Sequence, residues 1–139
     1  MMFYPGCASV KAQPRGVILV QGDRSNPLGT ILCPLVSAIA SGNGVVISIP
    51  EGCPKIDKML RFYCQHFLDN RYTGVVMDAD RDRVHSLQWD GVVFTGTIEQ
   101  AVSLCRSLSS TLTPVYLSLL TATVCVVDTT ASISVTSMK

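Results

Sequence analysis

The sequence predicts an α/β protein: one parallel sheet with helices on both of its faces. Three observations carry this. Short, continuous runs of β-branched and apolar residues recur along the chain, each about the length of a buried strand. Between them lie longer stretches whose apolar residues return at the spacing of one helix face. The connections are short, and strands that alternate with helices at such spacing form parallel sheets. At 139 residues there is room for one domain with a proper core and not for two.

The elements follow in order. Val17-Ile18-Leu19-Val20 is the first strand, entered through Pro14-Arg15-Gly16. A helix face comes next at Leu28, Ile31, Leu32, Leu35, Val36 and Ile39, stopped by Gly42-Asn43. Pro34 lies inside that helix; it lacks a backbone donor and is expected to kink or shorten it. Val45-Val46-Ile47-Ser48-Ile49 is the second strand, ended by Pro50-Glu51-Gly52. Pro54 suits a first helical turn, and Ile56, Met59, Leu60, Tyr63, Cys64 and Phe67 draw the cleanest helical stripe in the chain.

Residues 74–77 read as a short strand, and the charged segment 78–83 leads into a brief turn or helix through Val84 and Leu87. Gly91-Val92-Val93-Phe94 is the next strand. Ile98, Ala101, Val102, Cys105 and Leu108 then mark one helix face, with Thr97 and Gln100 at the spacing of a capping box. Strands over 114–119 and 124–127 complete the series. The organisation expected is an N-terminal arm over 1–13, one domain over 14–128, and a disordered Ser/Thr-rich tail over 129–139.

Composition excludes several functions. The net charge is +1, so the chain shows no electrostatic footprint for nucleic acid, and no block of like charge marks a tail. The first residues lack the charged start and apolar core of a secretion signal. The most apolar stretch, 115–127, is broken by Ser118, Thr121 and Thr123 and is too short to span a bilayer. The reading is a soluble, cytoplasmic protein with no nucleic-acid or membrane partner. The six cysteines (7, 33, 53, 64, 105 and 125) form no close pairs and no metal-ligand spacing, and read as free thiols acting as small hydrophobes. His66 and His85 read as surface residues. Asp23, Asp78, Asp80 and Asp82 lack the glycine and distal glutamate of a calcium loop and read as solvated, so no metal is expected.

In parallel sheets ligands sit beyond the carboxyl ends of the strands. Those ends are Gly22-Asp23-Arg24-Ser25, residues 48–51, Asp78, Thr95-Gly96-Thr97, and residues 119–121. A Gly-Thr turn between strand and helix lets backbone N–H groups and the helix dipole face an anion such as a phosphate. Glu51, at the end of the second strand, is placed to accept hydrogen bonds from a ribose.

Over residues 14–128 the chain resembles the cofactor-binding domain of the aldehyde dehydrogenase superfamily. The resemblance rests on Pro14-x-Gly16-Val17, Asn26-Pro27-Leu28, Ala38-Ile39-Ala40-Ser41-Gly42-Asn43-Gly44-Val45-Val46, Pro50-Glu51, and Asp90-x-Val92-Val93-Phe94-Thr95-Gly96-Thr97-x-Glu99. It implies a Rossmann-like fold that binds NAD or NADP and a parent activity of oxidising aldehydes to acids. Gly22, Ser48, Glu51, Gly96 and Thr97 are the candidate cofactor-binding residues, Ser48 because it aligns with the family's ribose-binding lysine.

The departures point away from catalysis. Asp23-Arg24-Ser25 stands where the family has Pro-Trp-Asn, whose Asn amide stabilises an oxyanion. Asp78-Ala79-Asp80 replaces glycines near the pyrophosphate, so NAD or NADP binding is expected to be weak or lost. Ser118-Leu119-Leu120-Thr121 replaces Glu-Leu-Gly-Gly, and serine cannot serve as that general base. The family's nucleophilic cysteine lies in a separate domain, and no cysteine here stands in a Gly-Gln-x-Cys context.

No catalytic residue is therefore assigned. The expectation is a noncatalytic aldehyde dehydrogenase-like domain, a pseudoenzyme or fragment acting in binding or assembly. The alternatives are an NAD(P)-binding module, or the cofactor half of an oxidoreductase whose catalytic half is elsewhere. The rest of a family subunit would cover apolar surface on this half, so a protein partner or a homo-oligomer is expected.

Overall fold

The computed structural model describes residues 13–77 and 81–119, with Arg81 and Asp82 described by their backbone alone. The expected strand at 124–127, the Ser/Thr-rich tail, Asp78-Ala79-Asp80 and nearly all of the N-terminal arm lie outside the described residues. Five strands, β1 (Val17–Gln21), β2 (Gly44–Ile49), β3 (Thr73–Met77), β4 (Gly91–Gly96) and β5 (Val115–Leu119), form one sheet in the order β3-β2-β1-β4-β5. Every pairing is parallel. The helices are α1 (Pro27–Ala40), α2 (Pro54–Phe67), α3 (Arg81–His85) and α4 (Ile98–Leu108).

The continuous apolar strands exist because the sheet is covered on both sides. Ile18, Val20, Val45, Ile47 and Ile49 pack against Ile31 and Leu35 of α1 and Leu60 and Cys64 of α2. The alternate residues, Leu19, Val92 and Phe94, pack on the opposite face against Ala101, Leu104 and Leu108 of α4, with Val84 and Trp89. A period-two strand between two helical layers therefore shows no polar face.

Much of the family-like motif at the amino end of the sheet is structural. The Val17 N–H donates to Asp90 Oδ2 at 2.8 Å, and the Asp90 N–H donates back to the Val17 carbonyl at 3.0 Å. Gly16, at φ +131°, makes room for this: a Cβ there would lie 2.0 Å from Asp90 Oδ2. Asn43 Oδ1 accepts from the Arg15 N–H at 2.6 Å, while its amide nitrogen donates to the Ala38 carbonyl at 3.1 Å. These bonds fix where β1, β2 and β4 begin.

Three expectations are corrected. Pro34 does not shorten its helix: α1 runs through it as one 14-residue element. Ile31 and Leu35, on either side of the proline, are both buried in the core, and that packing holds the two turns together where one backbone bond is missing. The buried stripe of α4 is Ala101, Leu104 and Leu108, whereas Ile98 and Val102 are 56% and 43% exposed. The helix carries two apolar lines, and the one toward β4 is the core. On α2 the expected stripe is buried at Leu60 and Cys64, but Tyr63 and Phe67 stand half or more exposed.

Candidate functional site

Strand order reverses direction between β1 and β4, so their following loops diverge and leave a crevice at the carboxyl edge. A cleft of about 390 Å³ lies there. Gly22, Asp23 and Arg24 line it from the end of β1, Pro50 and Glu51 from the end of β2. Thr95 of β4 and Gln100 of α4 close it.

Local sequence builds each wall. Asn26 caps α1, its Oδ1 accepting from the Gly29 N–H at 3.0 Å, and Pro27 takes the first helical turn. The start of α1 presses on the end of β1. A Cβ at Gly22 would stand 2.5 Å from Ile31 Cγ1 and 2.9 Å from Thr30 Oγ1. Gly22 is thus required for the close approach of helix to strand.

Asp23 is turned inward on its own loop. Its Oδ2 accepts from the Ser25 N–H at 2.7 Å and from the Ser25 hydroxyl. Partial burial acts to raise its carboxyl pKa, but the Ser25 side chain and the backbone N–H groups of Ser25 and Arg24 outweigh this and hold it below the ordinary aspartate value.

The structure brings some predicted residues together and separates others. Gly22 and Glu51 share the cleft. Ser48 is 2% exposed within β2, in register with Gln21 and Val76, and its side chain does not line the cleft. Gly96 is buried at the end of β4, where a Cβ would meet the Phe94 ring at 2.6 Å and Gln100 Oε1 at 2.7 Å. Its lack of a side chain accommodates neighbouring side chains of this chain.

Thr97 caps α4 as its spacing predicts. Its N–H donates to Gln100 Oε1 at 3.2 Å and its Oγ1 accepts from the Gln100 N–H at 3.4 Å. Two of the N-terminal amide groups of the helix are therefore satisfied internally, and Glu99 already places a negative charge in the first turn.

Several side chains near the site were missed. Arg24 is the cation of the cleft among the described residues. Gln21 is a buried polar residue closing an otherwise apolar strand, and that break in pattern was the available signal. His85, read as peripheral, is half-buried, with Nε2 3.2 Å from Gln21 Oε1. This pair sits in a second cleft of about 300 Å³, which adds Ser86, Ser103 and Ser107 and shares Phe94 and Gln100 with the first. His66 is exposed, stacked on Phe62 at 4.1 Å.

Among the described residues neither cysteine nor histidine lines the first cleft. Of the described thiols, Cys33 is exposed rather than packed, Cys53 and Cys105 are half-buried, and Cys64 is buried, its pKa raised by desolvation.

An all-parallel sheet in this order, with its crevice at the switch point, defines a Rossmann-like nucleotide-binding class of fold. No family model matches the chain. It is 31% identical over 121 residues to aldehyde dehydrogenase family 3 member F1 of Arabidopsis thaliana, covering 86% of this chain and 25% of that protein. It is 26% identical over 140 residues to aldehyde dehydrogenase family 3 comG of Dictyostelium discoideum, covering 99% of this chain and 30% of that protein.

Among solved structures, the substrate-bound state of Staphylococcus aureus AldH superposes with a TM-score of 0.73 at 26% identity, over 77% of this chain and 24% of that one. An aldehyde dehydrogenase of Mycobacterium tuberculosis complexed with NAD+ shares the fold, with a TM-score of 0.66 at 19% identity over 76% of this chain and 23% of that one. The chain belongs to the aldehyde dehydrogenase superfamily and matches its NAD-binding region. It spans about 30% or less of the length of these relatives.

Proposed function

We propose that this chain is a noncatalytic aldehyde dehydrogenase-like domain that acts in the cytoplasm by binding or assembly rather than by turnover. The observation behind this is the chemistry of the strand ends. Aldehyde oxidation through a thioester needs a thiolate, an oxyanion donor and a base at one point. Among the described residues the first cleft offers no cysteine or histidine. Ser118, which aligns with the family's general base, stands exposed on β5 in register with Thr95. In the aligned Pro-Trp-Asn position, Ser25 spends its hydroxyl on Asp23. Assembly with a partner protein or a second copy would use the apolar surface that α4 and β5 expose.

A second reading, an NAD(P)-binding module, is favoured by the cleft itself, which keeps Gly22 and Glu51 at the switch point. One experiment addresses both readings. The protein is incubated with NAD or NADP and a panel of aliphatic and aromatic aldehydes while reduced cofactor is followed by absorbance, and its melting temperature is read with each cofactor. No reduced cofactor is expected. Reduction that depends on protein and aldehyde would overturn the noncatalytic reading. A melting shift of several degrees at a hundredfold excess over Kd, lost in Glu51→Ala, would favour the binding module.

A further inference from the structure

We propose that the guanidinium of Arg24 is the phosphate-holding group of the first cleft, and that the ligand it selects is a nucleotide bearing a phosphate or diphosphate. This rests on the second reading above, that the cleft binds a nucleotide.

Arg24 leaves the end of β1 and reaches across to the turn that follows β2. Its Cζ and Nη2 lie 3.4 Å from where a Cβ on Gly52 would stand, and Gly52 has a φ of +82° that favours glycine. The bare turn makes room for the guanidinium beside Glu51. Among the described residues this cation has no hydrogen-bond or ion-pair partner, the ion pairs there being Arg61–Asp57 and Arg71–Asp69. The adjacent carboxylate is spoken for, because Asp23 accepts from Ser25 instead.

A guanidinium presents five donors in a planar fork that matches two phosphate oxygens, so a partnerless one in a cleft is suited to an anion. The other anion-binding device of such folds is reduced here, since the Thr97 and Gln100 N–H groups bond within the capping box. Anion holding thus passes from the amides of α4 to the side chain on the opposite wall. Glu51 stands one residue before Gly52 and lines the same cleft. Sugar hydroxyls and phosphate of a single nucleotide would then meet adjacent groups, an acceptor and a donor.

The test is calorimetric titration of the full chain with adenosine, ADP, NAD and NADP, for the wild type, Arg24→Gln and Arg24→Lys. ADP is expected to bind about tenfold or more tightly than adenosine, and to weaken with added salt while adenosine does not. Arg24→Gln should bring ADP to the level of adenosine and leave adenosine unchanged, and Arg24→Lys should keep part of the difference. An ADP-to-adenosine ratio unaltered by Arg24→Gln would overturn this assignment and leave the nucleotide reading standing. Failure of all four ligands to bind at millimolar concentration would overturn both. Equal melting temperatures of the unliganded variants would establish that the exposed substitution leaves the fold intact.

Discussion

On one face of the sheet α1 and α2 seal β1 and β2, whereas on the other α4 seals β1 and β4 and leaves β5 half uncovered. The first face buries Ile18, Val20, Val45, Ile47 and Ile49 beneath two helices of 14 residues each. The second buries Leu19, Val92 and Phe94 beneath α4, but Leu117 and Leu119 of β5 remain 44% and 38% exposed beside Ile98 and Val102. The same apolar composition thus stabilises the fold in one place and only occupies surface in another. Burial decides which, since the gain scales with apolar area removed from water.

The contrast is broken or upheld most sharply within α4. Leu104→Ala, which empties a site 2% exposed, is expected to cost about 3 kcal/mol in urea unfolding. Val102→Ala, two residues earlier and facing outward, should cost less than about 0.5 kcal/mol. Equal losses would mean that the outer line of α4 is covered in solution.

A smaller effect probes the sealed face. Gly22→Ala forces a methyl group against Ile31 and Thr30, so overpacking of about 2 kcal/mol is expected as a lower melting temperature. An unchanged melting temperature would show that α1 shifts freely from β1, and that this face is looser than its burial suggests.

The smallest effect is electrostatic. Asp23 titrates below the ordinary aspartate value, so its contribution to stability is present above about pH 4 and is lost as pH falls through the lowered folded value. Asp23→Asn should therefore unfold more readily than the wild type at neutral pH and match it in strong acid. A gap that persists undiminished in strong acid would remove the carboxylate from the account of the β1–α1 turn.

The fold was legible because buried parallel strands and amphipathic helices leave different periods, and the α4 capping box was readable from Thr97 and Gln100 alone. Periodicity could not tell which of the two apolar lines of α4 faces the sheet; that depends on where β4 and β5 lie. Pro34 misled because its local cost is set against the burial of Ile31 and Leu35, which only tertiary packing supplies. At the site, Gly22 and Glu51 were legible as strand ends. Ser48 does not line the cleft, because it is the last-but-one residue of β2 and is buried within the sheet. Arg24 has no role in the sequence reading beyond its place in Asp23-Arg24-Ser25, the segment that lacks the amide donor, and its value as a cation depends on a glycine turn 28 positions away in sequence.

The central position of β1 also sets a schedule for folding. It is the first described strand to leave the ribosome and the middle strand of the finished sheet. Its α1–β2 neighbour follows at once, but the bond from Val17 to Asp90 closes a loop of 73 positions. Until β4 is made, one edge of β1 has no neighbour and shows apolar residues on both sides, the kind of edge that invites pairing with another chain. Long-range parallel pairing is slow to form. The first half of this sheet thus carries an open edge until Asp90 has been made, and the bond from Val17 to Asp90 is one of the contacts that closes it.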